Sequence, residues 1–421
     1  MLRCRFSLIA FFIVLNAAQA LGQAARSPFA SIGLGEPFSP AITQNQGMGG
    51  IGISNYSYYN INNMNPALLV FNRLTSFQFG IMGEQRTQTS STNDVTEKSG
   101  SGNLSYIALA IPIKLSKWTS SIGLQPSTRL NYRLAYQQPI GPATDVVTVT
   151  EEGTGGINAA YFSNGVAITK DFSIGLKASY QFGSIENKFT NYLASASVTP
   201  AIRETTYVTG FQFSPAVSVH LDSLFGADYR LNFGAVYDFG STLNAKFTQW
   251  EGRYNGSSLV DSTTLINQAP GKVTLPQSMA GGISFGNSYR WVVGVDGYYA
   301  DYSQFRDITG ANPYTANQWR VNGGFEITPN PQSLTSYLQR VTYRTGVSLE
   351  NGPYLVNGAA VRDFGITFGM SLPVSRSCSL DMAMKFGKKG DKTLNTIEEN
   401  YLKLYFGITF NDQWFIKRRF D

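Results

Sequence analysis

The chain has only two cysteines, Cys4 and Cys378, and a single histidine, His220. Two distant thiols, one inside an N-terminal leader, make no disulfide framework. One imidazole without spaced cysteines is too poor a donor set for a metal centre, so neither a metal nor a cofactor is expected. Charge is also scarce. Asp, Glu, Lys and Arg make up 14% of the residues, where an ordinary soluble protein has roughly a quarter. Past the N-terminus no apolar run approaches the ~18 residues that a membrane-crossing helix needs. Setting aside Arg3 and Arg5 of the leader leaves 31 basic against 27 acidic residues. With no basic block long enough to track phosphates, that small excess argues against a nucleic-acid partner.

Aromatic residues are plentiful at 13%, as are glycine and proline at 42 and 17 copies. The opening "MLRCRFSLIAFFIVLNAAQALGQ" carries Arg3 and Arg5, an apolar run from Phe6 to Leu15, and small residues ending near Ala20. That layout reads as a secretory signal peptide over residues 1–22, outside the fold.

Beyond it the recurring pattern is alternation. Ile174, Leu176, Ala178, Tyr180 and Phe182 share one face against Ser173, Lys177, Ser179 and Gln181. Leu231, Phe233, Ala235 and Tyr237 do so against Arg230 and Asn232, Phe364, Ile366, Phe368 and Met370 against Asp363 and Thr367, and Leu402, Leu404, Phe406, Ile408 and Phe410 against Lys403, Tyr405 and Thr409. A period of two is a strand with one apolar face. The segments are longer than usual strands and suit a tilted membrane crossing. Short connections at residues 114–117, 169–171 and 286–289 alternate with long ones near 86–101, 138–154, 184–203 and 243–273, the layout of outer-membrane barrels. The expected strands are 73–86, 102–113, 118–136, 155–168, 171–183, 204–220, 228–242, 274–286, 289–302, 317–327, 340–350, 360–373, 378–388 and 400–410. The fold class is therefore all-β: a 14-stranded antiparallel transmembrane β-barrel with an N-terminal lumenal plug. Residues 23–72 form the plug, 73–410 the barrel, and 411–421 a tail. The even count leaves both termini on the periplasmic side of an outer membrane, and residues 331–340 read as one short helix there.

Two features depart from plain alternation. In "SIGLQPSTRLNYRLAY" the apolar positions Ile122, Leu124, Leu130, Tyr132, Leu134 and Tyr136 keep step, yet Pro126 stands among them. A proline cannot donate to a ladder, and a closed barrel has no edge strand to shelter it, so Pro126 with Ser127 marks a bulge or a gap. Pro215 is a second mid-strand proline of the same kind, or one that merely relieves twist. The Gly- and Asn-rich region before the first strand has no alternation, but Tyr56, Tyr58, Leu68, Leu69 and Phe71 supply burial that a disordered tail lacks.

In sequence the chain resembles the FadL-type outer-membrane transporters of long-chain fatty acids and other hydrophobic compounds, in the form found in Bacteroidota-like bacteria. The residues that carry the resemblance are Gly47, Gly49, Gly50 and Gly52 followed by Asn65-Pro66-Ala67, then "GLQPSTRLNY", "FSIGLKASYQFGSIEN" and the ending "FNDQWFIKRRFD". The resemblance implies a barrel plugged by an N-terminal hatch, with a kinked third strand through which a hydrophobic ligand leaves sideways into the membrane. The partners it implies are membrane lipid and a hydrophobic small molecule, with the protein a monomer. The rival expectation is an accessory subunit of a larger outer-membrane complex.

The remaining signals are weak. Gly47 to Gly52 match G-x-G-x-x-G, but no strand precedes them and position 72 is Asn where a dinucleotide site has an acid, so the glycines serve tight turns. His220 near Ser214, Ser218 and Asp222 is no more than a serine-rich lumen would give by chance, and no catalytic residue is expected. Phe189, Tyr192, Leu193, Trp250 and Tyr254 make the third and fourth external loops greasier than water requires and are candidate ligand contacts, with Lys188 and Arg203 beside them for a carboxylate. Lys417, Arg418 and Arg419 form a basic end, either solvated or a docking point for a partner.

Overall fold

A half-apolar strand buries one face and leaves hydrogen-bonding groups along both edges. In hydrocarbon the only complete solution for strands is a closed ring. The computed structural model describes residues 25–91, 96–139, 146–223, 226, 228–287, 290–375 and 377–412, and it is such a ring. The strands are β1 (Thr75–Ser90), β2 (Thr96–Lys114), β3 in two arms (Trp118–Pro126 and Thr128–Pro139), β4 (Val146–Ala167), β5 (Phe172–Leu193), β6 (Thr199–Asp222) and β7 in two arms (Tyr229–Asp238 and Ser241–Asn255). There follow β8 in two arms (Ser258–Leu275 and Gln277–Asn287), β9 (Trp291–Asp301), β10 (Gln318–Ile327), β11 (Thr342–Val356), β12 (Ala359–Pro373), β13 (Cys378–Gly390) and β14 (Ile397–Asp412). Neighbours in sequence are antiparallel neighbours in space, and β14 closes on β1 from Ile397↔Ser90 to Asp412↔Thr75. All fourteen expected strands are present. The signal peptide and the Lys417 to Arg419 end lie outside the described residues.

The outward rows are apolar, as the alternation requires. Ile122, Phe162, Leu176, Phe233, Val295 and Ile366 are exposed on the outer wall, while Ser121, Ser173, Asn232, Ser284 and Thr367 of the opposite parity are buried inside. Near the short turns Tyr229, Phe285 and Trp291 stack with one another, as an interfacial aromatic girdle does.

Three expectations need correction. The long connections are mostly not loops: the strands continue as ribbons, and β5 runs to Leu193 and β7 to Asn255, because Thr, Tyr and Val in these stretches keep pairing beyond the apolar belt. Only Leu338–Arg340 is helical, as a 3-10 turn. The loop is closed instead by the Asn330 N–H donating to the Gln339 carbonyl and the Ser333 N–H donating to the Asn330 carbonyl. Third, β3 does not keep one apolar face. Ile122 is 53% exposed outside, whereas Leu130 is 2% exposed and belongs to an interior cluster. Pro126 pairs with Asn158 but Leu130 with Gly155, so four steps of β3 run against three of β4. One extra residue turns every later side chain to the other face. The same happens on β7, where Asn244↔Thr209 and Val236↔Ala216 leave one residue over around Phe239 and Gly240. Pro215 sits at that interruption, on the β6 side.

The outer wall yields a first expectation. Ile366→Arg, mid-strand on the lipid face, should lower unfolding free energy in lipid vesicles by about 2–4 kcal/mol. Ser91→Arg at a ribbon tip should change it by less than about 0.5 kcal/mol. Urea titration followed by tryptophan fluorescence measures both, and equal effects would contradict the assigned faces.

Candidate functional site: the lumen and the break in its wall

The segment before β1 packs against the inward face of the strands. Its backbone pairs with itself only in short turns such as Pro66–Phe71, and wall side chains supply further partners. Asp296 on β9 accepts from the backbone N–H of Gly52 and Ile53 at 2.7 and 2.8 Å. Asp381 on β13 accepts from Gln44 Nε2 at 2.6 Å, and Tyr161 on β4 donates to Asn63 Oδ1 at 2.8 Å. Asn65 organises its own neighbourhood: its Oδ1 accepts from Ala67 N–H at 2.9 Å and caps the turn Pro66–Phe71, while its Nδ2 donates to the Ile53 carbonyl at 2.7 Å. A Cβ at Gly175 on β5 would overlap the Ala67 nitrogen, so the wall itself must lack a side chain there. Gly49 and Gly50 adopt φ of +74° and +88°, which only glycine does without strain. The predicted residues Gly47, Gly49, Gly50, Gly52, Asn65, Pro66 and Ala67 are thus brought together inside the barrel.

The wall is interrupted where Pro126 predicted. The β2–β3 ladder runs from Lys114↔Trp118 only to Ile107↔Leu124. Past Pro126 the edge of β3 turns instead to the N-terminal segment: Glu36 and Pro37 pair with Arg129 and Thr128, and Phe38 N–H donates to the Ser127 carbonyl at 2.8 Å. Ser127 N–H bonds the Ile157 carbonyl of β4 at 2.7 Å, and its hydroxyl donates to Gln181 Oε1 at 2.7 Å. A two-residue strap therefore occupies an edge that β2 leaves open.

Buried charges hold the strap. Arg86 on β1 meets Glu36 at 2.7 Å, Glu84 at 2.6 Å and Glu399 of β14 at 3.0 Å, and Lys389 of β13 meets Glu36 at 2.5 Å. Burial alone would raise the Glu36 carboxyl, but Arg86, Lys389 and Lys403 outweigh it and hold the group well below the usual carboxylate range. This network was not visible in the sequence, because its members lie up to about 360 residues apart and share no spacing. Alternation places Arg86 inward, but not beside Glu36.

Between the strap and the wall lies a cavity of about 220 Å³ that reaches Pro126, Ser127 and Thr128. Its lining is mixed. Leu34, Phe38, Ile53, Met64, Tyr302, Phe305 and Tyr314 line it together with Lys177, Gln181, Asp238 and Arg320. The inverted arms turn Leu130, Tyr132, Leu243 and Ala245 inward to join Phe29, Leu34 and the β9–β10 connection in one cluster, which borders the cavity through Leu34, Tyr302, Phe305 and Tyr314.

The candidate loop residues lie elsewhere and are engaged. Phe189, Tyr192 and Leu193 are on β5, Trp250 and Tyr254 on β7. Lys188 stands 5.6 Å from the Tyr254 ring, and Arg203 is 5.2 Å from the Trp250 ring and 3.3 Å from Glu186. These cations stitch the ribbons to each other rather than converge on the cavity. His220 packs edge-on against Phe71 at 4.9 Å, while Ser218 and Ser214 donate to the Phe233 carbonyl and to Asp238. No nucleophile among the described residues turns to it.

The closed ring, the inward segment and the strapped break make this a barrel with the fold of FadL-type channels. A Pseudomonas putida toluene transporter, TodX, matches with a TM-score of 0.59 at 14% identity, over 91% of this chain and 100% of that one. A Pseudomonas aeruginosa FadL homologue matches at 0.58 and 13%, over 89% and 99%, and the Ralstonia pickettii toluene transporter TbuX at 0.53 and 13%, over 89% and 98%. The family model described as BamG matches residues 1–421, and the chain belongs to that family. No curated protein matches it.

Removing Glu36 leaves Arg86 and Lys389 buried with one partner fewer. Glu36→Ala should cost about 3 kcal/mol and expose the Phe38 amide to rapid exchange. Because the folded pKa of Glu36 is lowered, its contribution is present above the ordinary carboxylate range and is lost as pH falls through that lowered pKa. Exchange of the Phe38 amide, corrected for intrinsic rate, should be the same at pH 7 and pH 5 and rise only below about pH 4. Loss of protection already at pH 6 would contradict the assignment.

Proposed function

We propose that the protein is an outer-membrane transport protein that imports long-chain fatty acids or other hydrophobic small molecules by passive diffusion, in a Bacteroidota-like bacterium. The observation that carries this reading is the coincidence of the ladder break at Pro126 and Ser127 with a cavity lined by Leu34, Phe38, Tyr302, Phe305 and Tyr314. Ligand enters from the ribbon end, rests against the apolar lining, and leaves through the break into the lipid once the Glu36–Pro37 strap withdraws. Residues 25–72 act as the plug, both termini are periplasmic, and the barrel works as a monomer, with no energy coupling and no catalysis. TodX and TbuX, both toluene transporters, support the ligand class through the shared fold.

A second reading, an accessory subunit of a larger outer-membrane complex, draws on the family match. That match spans the whole chain and bears the description BamG, whereas the likeness to the transporters is at 14% identity.

Two measurements separate and anchor these readings. Pro126→Val gives β3 a donor and a strand-favouring side chain next to the last β2 pair, which should narrow the break. Uptake of a radiolabelled fatty acid or of toluene should fall severalfold while surface expression and heat stability hold or rise. Wild-type uptake in a well-inserted variant would sink lateral exit, and absence of wild-type uptake with stoichiometric co-purification of other polypeptides would favour the subunit. For orientation, cysteines at Ser91 and Asn255 should react with an impermeant thiol reagent on intact cells and one at Leu334 should not; the reverse pattern would invert the barrel.

A further inference from the structure

Three arginines are buried among the described residues, and they are not alike. Arg86 has three carboxylates around it, and Arg344 has Glu326 at 2.5 Å together with the Ser371 hydroxyl at 2.6 Å. Arg230, on the turn end of β7, is 8% exposed and forms no ion pair among the described residues. Its Nε has no hydrogen-bond partner. Its guanidinium lies 4.3 Å from the Tyr56 ring of the N-terminal segment and also meets the Tyr56 hydroxyl, which leaves Nε unserved. Asp222 is opposite it in the β6–β7 ladder but is exposed and makes no ion pair with it.

Arg230 lines the larger cavity of the barrel, about 710 Å³ at the turn end. Arg290, Arg340 and Arg344 line the same space, with Glu326 the one acid, already paired to Arg344. Arg290 and Arg340 are exposed. Tyr56, Tyr58 and Tyr337 supply flat apolar surface beside them. A buried guanidinium without an anion is costly, and a planar fork aimed into an aqueous cavity matches the two oxygens of a carboxylate or phosphate.

We infer that the turn-end cavity is a binding site for an oxyanion, a carboxylate or phosphate group, carried on a planar or apolar body, with Arg230 as its anchor. The body lies on the tyrosines, and Arg290 and Arg340 draw the anion in from solvent. The site is separate from the cavity at the wall break and stands whether the barrel transports or serves as a subunit.

Calorimetric titration of the purified full-length barrel in lipid nanodiscs with sodium benzoate, and with benzamide as its neutral isostere, tests this. Benzoate should bind at least about tenfold more tightly than benzamide, and inorganic phosphate should compete with it. Arg230→Gln should abolish the difference without changing heat-modifiable migration, and Arg230→Lys, which keeps the charge but not the fork, should fall between. Should Arg230→Gln fail to insert, Arg290→Gln with Arg340→Gln, both at exposed positions, should weaken benzoate and leave benzamide unaffected. Dodecyl phosphate binding more tightly than inorganic phosphate would identify a lipid-like source of the anion, and equal affinities a free one. Equal binding of benzoate and benzamide, no binding of benzoate or phosphate, or undiminished benzoate binding by Arg230→Gln would overturn the inference.

Discussion

Everything in this protein follows from the requirement that a strand crossing hydrocarbon satisfy its backbone on both edges. The ring closed by β14 on β1 meets that requirement. The same requirement makes any interruption conspicuous, since an edge opened in the wall needs a substitute partner within reach. At Pro126 that substitute is not another wall strand. It is the pair Glu36 and Pro37, supplied from inside the barrel.

That arrangement ties the wall to the segment it surrounds. The strap is only two residues long and has too few ladder bonds to hold by itself. What fixes it is the carboxylate of Glu36 between Arg86 and Lys389, charges buried deeply enough that separating them leaves uncompensated ions. A contact of this kind is rigid while complete and costly when one member moves. It therefore suits a closure with two states better than a gradual one. The glycine opposite Ala67 and the carboxylate of Asp296 hold the rest of the segment in one position, so a displacement of the strap need not unseat residues 47–72.

The single-residue insertions have a second consequence. An ordinary barrel strand shows lipid one row of side chains and the lumen the other, and a lumen built that way is polar throughout. Inverting the far arms of β3 and β7 sends Leu130, Tyr132, Leu243 and Ala245 inward. The interior thereby gains an apolar cluster that plain alternation would have turned to the lipid, without any change in composition.

The strand count, the outward apolar rows, the closed antiparallel order and the location of the break were legible in the sequence, because each is a local property: a period of two along one segment, or a proline where a donor is needed. The tight turns at glycines 49 and 50 were legible for the same reason, whereas the cap formed by Asn65 was not read there. The direction in which Leu130 and Tyr132 point was not, since an extra residue leaves the written alternation intact and shows only against the register of β4. Nor could alternation show that the stretches around Tyr192 and Trp250 continue as ribbons, where neighbouring strands decide whether pairing persists. The Arg86 network and the burial of Arg230 without an ion pair among the described residues were beyond sequence altogether. Alternation assigns a charged side chain to the inside of a barrel, but whether it finds a counter-ion there depends on which strands closure brings face to face.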